Sequence, residues 1–113
     1  MQQLVHEIDV YCNTLTKGVN FYLGVPIEHQ MDPTQILEVI SRLPTRDFIK
    51  DIRVDSKRLS HDYYEATIDL YVTCQVRQMP HGKRKIEAGE EARIMLFVNE
   101  IIAALASVNS VDT

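Results

Sequence analysis

The sequence predicts an α+β fold in a single domain that spans residues 1–113. We expect a small antiparallel sheet with a long β-hairpin, packed against an N-terminal helix and a long C-terminal helix. Three observations lead to this expectation: a helical pattern of apolar residues near the amino terminus, an alternation of apolar and polar residues from 63 to 77, and an apolar segment from 87 to 107. The chain length suits one domain with one hydrophobic core.

The first predicted element is an amphipathic helix over residues 3–17. Its apolar residues recur at intervals of three and four, which aligns them on one side of a helix: Leu4, Val5, Ile8, Tyr11, Cys12 and Leu15. Lys17 and Gly18 suit a helix end, because a cation favours the negative end of the dipole and glycine favours a left-handed cap. The apolar run from Val19 to Val25 predicts a short strand or an extended connector, ending at Pro26.

A second, short helix is predicted to begin at Asp32. The run Asp32-Pro33-Thr34-Gln35 contains a capping residue, a proline suited to the first helical position, and the glutamine of a capping box. The expected buried stripe of this helix consists of Ile36, Leu37, Ile40 and Leu43, and Pro44 ends it.

Two strands are predicted to form an antiparallel hairpin over residues 47–79. The first covers residues 47–55, with Phe48, Ile52 and Val54 on one face, and a polar turn covers 55–62. The second is one long strand from 63 to 77, since a period of two is typical of a half-buried strand. Its predicted inner face consists of Tyr64, Ala66, Ile68, Leu70, Val72, Cys74 and Val76. Unbroken, it would extend about 50 Å, so we expect it to bend, protrude or pair with an extended neighbour.

The last predicted element is a helix over residues 87–107, which follows a basic tip formed by Lys83, Arg84 and Lys85. The helix is apolar on almost every side, interrupted only by Arg93, Asn99 and Glu100. One small sheet can cover one side of such a helix, so we expect a second subunit to cover the rest. The candidate interface residues are Tyr63, Tyr71, Arg77, Lys83, Arg84, Lys85, Leu96, Phe97 and Ile101.

Candidate chemistry is sparse, and we predict no catalytic, cofactor-binding or metal-binding residue. The histidines lack the spacing of a metal site, and the two cysteines fit small buried side chains, with a disulfide between them left open. A cluster of glutamates at the start of the last helix is accounted for by the helix dipole, with a divalent-ion site as the weaker alternative, since one segment alone seldom supplies enough ligands. These residues are His6, His29, His61 and His81; Cys12 and Cys74; and Glu87, Glu90 and Glu91.

Charge and composition limit the partners and the location. The net charge of −4 argues against a general nucleic-acid or anionic-membrane binder. The basic tip is read as a solvated loop, as a contact for an acidic partner, or as a contact for a nucleic-acid backbone, in that order. No apolar run suits a secretory signal or a membrane span, so the expected location is the cytoplasm or a particle assembled there.

A pattern over residues 48–107 resembles the small tail-completion and tail-terminator (neck) proteins of long-tailed bacteriophages. The resemblance is carried by Tyr64-Glu-Ala-Thr-Ile-Asp-Leu-Tyr-Val and Glu90-Glu-Ala-Arg-Ile-Met-Leu-Phe-Val-Asn-Glu-Ile-Ile-Ala-Ala-Leu. It implies a non-enzymatic structural subunit of a homo-oligomeric ring, commonly hexameric, that contacts other tail or neck proteins in the virion or the host cytoplasm. The chain departs from this family after the last helix, where further strands are usual, and no functional residue is carried over.

A second hypothesis comes from a different class of protein. Small acidic α+β dimers, such as secretion-type chaperones and inhibitor proteins, bind extended clients in an apolar groove. The composition of this chain also fits such a cytoplasmic binding module. The two hypotheses differ in solution mass, because the first predicts a larger closed ring and the second a dimer.

Overall fold

The computed structural model describes residues 4–12, 16–26, 31–44, 46–58 and 60–110. Along the chain the elements are β1 (Leu4–Cys12), β2 (Lys17–Pro26), α1 (Pro33–Ser41), β3 (Ile49–Arg58), β4 (Tyr63–Val72), β5 (Val76–Gln78), β6 (Arg84–Ile86) and α2 (Ala88–Ser110), with one 3-10 turn at Pro80–Gly82. The α+β class, the hairpin of β3 and β4 and the long C-terminal helix are confirmed.

Four strands form one antiparallel sheet in the order β1-β2-β4-β3, and β5 pairs with β6 in a second, small sheet. The alternation in β4 has the predicted consequence. Its apolar residues are buried beneath the helices: Tyr64, Ala66, Ile68, Leu70 and Val72. We call this side of the sheet the helix side and the opposite side the outer sheet face.

The predicted N-terminal helix is wrong, because residues 4–12 form β1 and Lys17 and Gly18 already belong to β2. From Asp9 onward the segment follows a period of two, with Val10 and Cys12 packed against the core, whereas Ile8 is exposed at a register shift between His6 and Asp9. The β-branched residues of this segment favour a strand over a helix. Antiparallel pairing of β1 with β2 also provides hydrogen-bond partners for the backbone groups of both strands. Gly18 is therefore a strand residue opposite Tyr11 and Tyr71 instead of a helix cap. Leu15 lies outside the described residues.

The predicted long strand is broken into two. β4 ends at Val72, where its partners also end: β2 begins at Lys17 and β3 at Ile49. The next N–H, that of Thr73, donates to the carbonyl oxygen of Phe48 at 2.8 Å, and the chain then leaves the sheet. A strand needs neighbouring strands to pair its backbone N–H and C=O groups. The alternation of apolar and polar residues therefore continues to residue 77, although the strand itself ends at Val72. The polar turn is also shorter than predicted, since β3 extends to Arg58.

The start of α1 forms as predicted. The Asp32 carboxylate accepts the N–H of Gln35 at 2.8 Å, and the Gln35 side chain accepts the N–H of Asp32 at 2.9 Å, which completes a capping box. Ile36 and Ile40 are buried, Leu43 is half-buried, and Val39 is buried in addition. Leu37, however, is 37% exposed, in contrast to the prediction.

The core lies between the sheet and α2. Five residues of α2 face it and are at most 4% exposed: Ile94, Phe97, Val98, Ile101 and Leu105. The ring of Phe97 meets Phe48 edge to face, with centroids 6.5 Å apart. Ile86 of β6 belongs to the same core, which anchors the small sheet on the helix side.

Candidate interaction surfaces

The outer sheet face is rich in tyrosine. Tyr11, Tyr22 and Tyr71 project from three adjacent strands and are half-buried, and Tyr63 is 43% exposed at the start of β4. The sequence predicted outward positions for Tyr63 and Tyr71. It missed Tyr11 and Tyr22, because Tyr11 was assigned to the buried side of a helix. Large rings with a polar tip suit contact with another protein.

The charges of the outer sheet face follow from the strand register. One row across the sheet consists of Asp9, Asn20, Asp69 and Arg53, each opposite the next. Neighbouring rows add Asp51, Asp55 and Glu65, and one further cation, Lys57. The carboxylates of these rows outnumber the cations, so the face carries negative charge. Lys50 lies beside it at the irregularity of β3 between Ile49 and Asp51.

Two groups at the centre of this face have shifted pKa values. Burial raises the pKa of the Asp69 carboxyl, and the positive charge of Arg53 partly offsets that rise. Burial, followed by the negative charges of its neighbours Tyr71, Asp69 and Asp9, raises the pKa of Tyr11. The Arg53 guanidinium also lies 5.2 Å from the centroid of Tyr71. This face therefore binds a cationic side chain of its own chain through both a ring and carboxylates.

The hairpin of β5 and β6 carries the basic residues. Arg77, Lys83, Arg84 and Lys85 are all exposed, and we call these four residues the basic hairpin. The sequence predicted a loop tip formed by Lys83, Arg84 and Lys85. In the structure Arg84 and Lys85 lie in β6, and Lys83 lies in the turn before it. The turn needs a left-handed backbone at His81 (φ 67°) and Gly82 (φ 74°). None of the four cations forms an ion pair within the described residues.

The outward side of α2 bears little charge. Leu96 is 60% exposed, the largest value among the exposed large apolar side chains of the described residues. Its neighbours on that side are Ala92, Asn99 and Ala103, all exposed. Phe97 and Ile101, by contrast, are enclosed by their own chain at 4% and 0% exposure. These two predicted interface residues therefore belong to the core. Its own chain covers α2 on more sides than the sequence predicted, and the side around Leu96 is the apolar side left exposed.

An apolar groove lies between α1, β3 and α2. This cavity of about 370 Å³ is lined mainly by Leu37, Ile40, Leu43, Ile49, Ile52 and Phe97. Arg46 stands at the same place, paired with Glu100 and lying 5.3 Å from the centroid of Phe97. The sequence placed Leu37 and Leu43 in a buried stripe and so gave no sign of a groove. The exposed position of Leu37 arises because α1 contacts the sheet through Ile36, Val39 and Ile40.

The two cysteines are free and lie in half-buried positions. Burial raises the pKa of the Cys74 thiol, which disfavours the reactive thiolate. Within the described ranges, no group of three or more histidine, cysteine or acidic side chains is placed to hold a metal ion. The part of the chain that is described also contains no helix suited to crossing a membrane. His29 lies outside the described residues.

No protein-family model, curated protein or solved structure matches this chain. The described residues present surfaces that are suited to contact with other molecules. Four such surfaces have been identified: the outer sheet face, the basic hairpin, the outward side of α2 around Leu96, and the apolar groove.

Proposed function

We propose that this protein is a non-enzymatic structural subunit that assembles with copies of itself. The observation that carries the proposal is the outward side of α2, where Leu96 is 60% exposed beside the exposed Ala92, Asn99 and Ala103. Helices of monomeric proteins usually carry charged residues on the side away from the core. Here the side around Leu96 is flanked by a single cation, Arg93, and a single anion, Glu100.

The edges of the main sheet support the same function. β1 and β3 are its outermost strands, and neither has a second strand partner within the described residues. β3 carries alternating charges that discourage pairing with another strand, whereas Ile8 of β1 is 40% exposed. Assembly that covers β1 and the outward side of α2 would remove both apolar exposures from water. A ring of the kind formed by phage tail-completion or neck proteins is the assembly that the sequence pattern favours.

The test compares two charge insertions at exposed apolar positions. Leu96→Glu places a carboxylate on the outward side of α2, and Leu37→Glu places one in the apolar groove. We expect light scattering to give a mass above the 13.0 kDa of one chain for the unaltered protein and for Leu37→Glu, and the mass of one chain for Leu96→Glu. An unaltered assembly mass for Leu96→Glu, with native circular dichroism, would rule out this side of α2 as the contact.

The apolar groove favours a second candidate function, a small module that binds extended peptides. Ile49 and Ile52 of the groove belong to β3, which is an outermost strand of the sheet. An extended client could lie along this groove with apolar side chains against Leu37 and Leu43, without pairing to β3, whose alternating charges discourage an added strand. This candidate predicts a dimer in solution.

The groove is tested with a fluorescent peptide of alternating leucine and serine residues. Binding that Leu37→Glu removes and Leu96→Glu retains would support the second candidate. The absence of measurable binding to the unaltered protein at millimolar concentrations would exclude it.

A further inference from the structure

We infer that the basic hairpin of one copy docks on the outer sheet face of the next copy. The inference rests on the proposed function and deepens it, because it adds a charged contact between copies to the apolar contact at Leu96. The occupant of the outer sheet face is thus a second copy of this chain, which contacts it through Arg77, Lys83, Arg84 and Lys85.

Charge complementarity is the first argument. The basic hairpin carries four exposed cations without an ion pair in the described residues. The outer sheet face carries an excess of carboxylates at Asp9, Asp51, Asp55, Glu65 and Asp69. Opposite potentials steer association and exclude wrong partners. A nucleic-acid backbone is a poorer occupant of the sheet face, because phosphates would meet these carboxylates.

The tyrosines of the face are the second argument. Arg53 already lies over the ring of Tyr71 at 5.2 Å and pairs with Asp51 at 3.4 Å. Tyr22 and Tyr11 offer two further half-buried rings: Tyr22 is diagonal to Glu65 and Asp69 on the neighbouring β4, and Tyr11 lies two residues from Asp9 on the same face of β1. An arriving arginine or lysine can therefore find a ring and a carboxylate together, as Arg53 does within the chain.

The position of the hairpin is the third argument, since it favours a contact between copies. Ile86 anchors β6 in the core on the helix side of the sheet. Arg84 and Lys85 line a cavity of about 240 Å³ with Val10, Tyr11, Cys12 and Glu91, so the hairpin reaches the outer sheet face only at its margin, beside Tyr11 at the end of β1. The cations are thus held at the margin of the sheet and away from the middle of its outer face. The chain's own hairpin therefore leaves the middle of the outer sheet face uncovered, and the hairpin of a neighbouring copy can contact it.

A contact between two different surfaces is head to tail. Repetition of such a contact closes a ring when the rotation between copies permits it. This geometry agrees with the proposed ring and differs from a two-fold dimer, in which one surface meets its own image.

Two charge reversals and two matched controls test the inference. Arg84→Glu alters the hairpin and Asp55→Lys alters the sheet face; Glu38→Lys, on α1, and Arg42→Glu, directly after α1, make the same changes at exposed positions. We expect each of the first pair to raise the dissociation constant for self-association at least about tenfold, and the controls to leave it within about twofold. Raising the salt concentration should weaken association of the unaltered protein by a similar factor.

Mixing distinguishes the head-to-tail contact from other charge effects. When Arg84→Glu and Asp55→Lys are mixed at a concentration where neither self-associates, the unaltered hairpin of one variant meets the unaltered face of the other, and the reversed hairpin meets the reversed face, so we expect assembly to return with the two variants alternating. The double variant should recover assembly. An oligomer that survives high salt and both reversals but dissociates with Leu96→Glu would overturn this inference alone. A single-chain mass for the unaltered protein under every condition would overturn the proposed function as well.

Discussion

Replacement of Ile101 and of Leu96 by alanine gives a matched pair of variants on opposite sides of α2. Ile101 is 0% exposed within its own chain, and Leu96 is 60% exposed. Both changes remove aliphatic carbons from a helix and create alanine, which favours helix formation. The two variants therefore differ mainly in what surrounds the lost side chain.

The expected magnitudes follow from that difference. Ile101→Ala leaves a cavity in the core and should lower the free energy of unfolding by about 2–5 kcal/mol. For a domain of this size the loss corresponds to a decrease in Tm of about 8–20 °C. Leu96→Ala should cost less than about 0.5 kcal/mol in the separated chain. Where a neighbouring copy covers Leu96, its cost should rise to about 1–2 kcal/mol.

The assay is thermal unfolding followed by circular dichroism at two protein concentrations about a hundredfold apart. Association stabilises a protein in proportion to the logarithm of concentration, so the loss caused by Leu96→Ala should be present at the high concentration and vanish at the low one. The loss caused by Ile101→Ala should be similar at both concentrations. The control is the unaltered protein, whose Tm should rise with concentration.

Two results would refute the reasoning. A large loss for Leu96→Ala at both concentrations would mean that its own chain buries Leu96. A loss below about 1 kcal/mol for Ile101→Ala would mean that α2 does not pack through this side, since complete burial of an isoleucine is worth more than that.

Three further predictions concern the sheet. Tyr64→Phe removes the hydroxyl that accepts the N–H of Met31 at 2.8 Å, and should lower the free energy of unfolding by about 1–2 kcal/mol in a denaturant titration. Gly18→Ala should cost about 1–3 kcal/mol, because its Cβ would overlap the backbone carbonyl oxygen of Leu70. The pKa of the Asp69 carboxyl is higher in the folded state than in the unfolded state, so protonation of Asp69 stabilises the fold. This stabilisation is complete below the unfolded pKa of 3.8 and is lost as the pH rises through the pKa of the folded state. Asp69→Asn should therefore raise Tm at pH 7 and flatten the dependence of stability on pH in that window.

Each of these predictions has its own control and failing result. Tyr63→Phe alters an exposed ring and should be neutral, and an equal effect at both tyrosines would contradict the assigned hydrogen bond. Gly82→Ala meets no atom within 4 Å, so its cost should come from its positive φ alone. Full stability in Gly18→Ala would refute the close approach to Leu70. A lower Tm for Asp69→Asn at pH 7 would mean that the charged carboxylate stabilises the fold.

Local chemistry in the sequence was sufficient to predict the start of α1 and the buried side of β4. The capping box of Asp32 and Gln35 depends on residues three apart, and the alternation through Tyr64 reports which side of a strand is buried. Both signals lie within one segment. They needed no knowledge of the remainder of the chain.

The errors have a common physical cause, which is pairing between distant segments. Residues 4–12 fit a helical and a strand pattern, and pairing with β2 decides between them. The strand beginning at Tyr63 ends at Val72 because β2 and β3 supply no partner beyond that point. The apolar groove likewise depends on how α1 meets β3 and α2, so the exposure of Leu37 could not be derived from its spacing alone.

The most direct test of self-assembly is the solution mass of the unaltered protein, measured by light scattering over a range of concentrations at low salt. We expect the mass to rise above 13.0 kDa and to reach a plateau at an integral multiple, as a closed assembly requires. A mass of 13.0 kDa at every concentration would contradict the account.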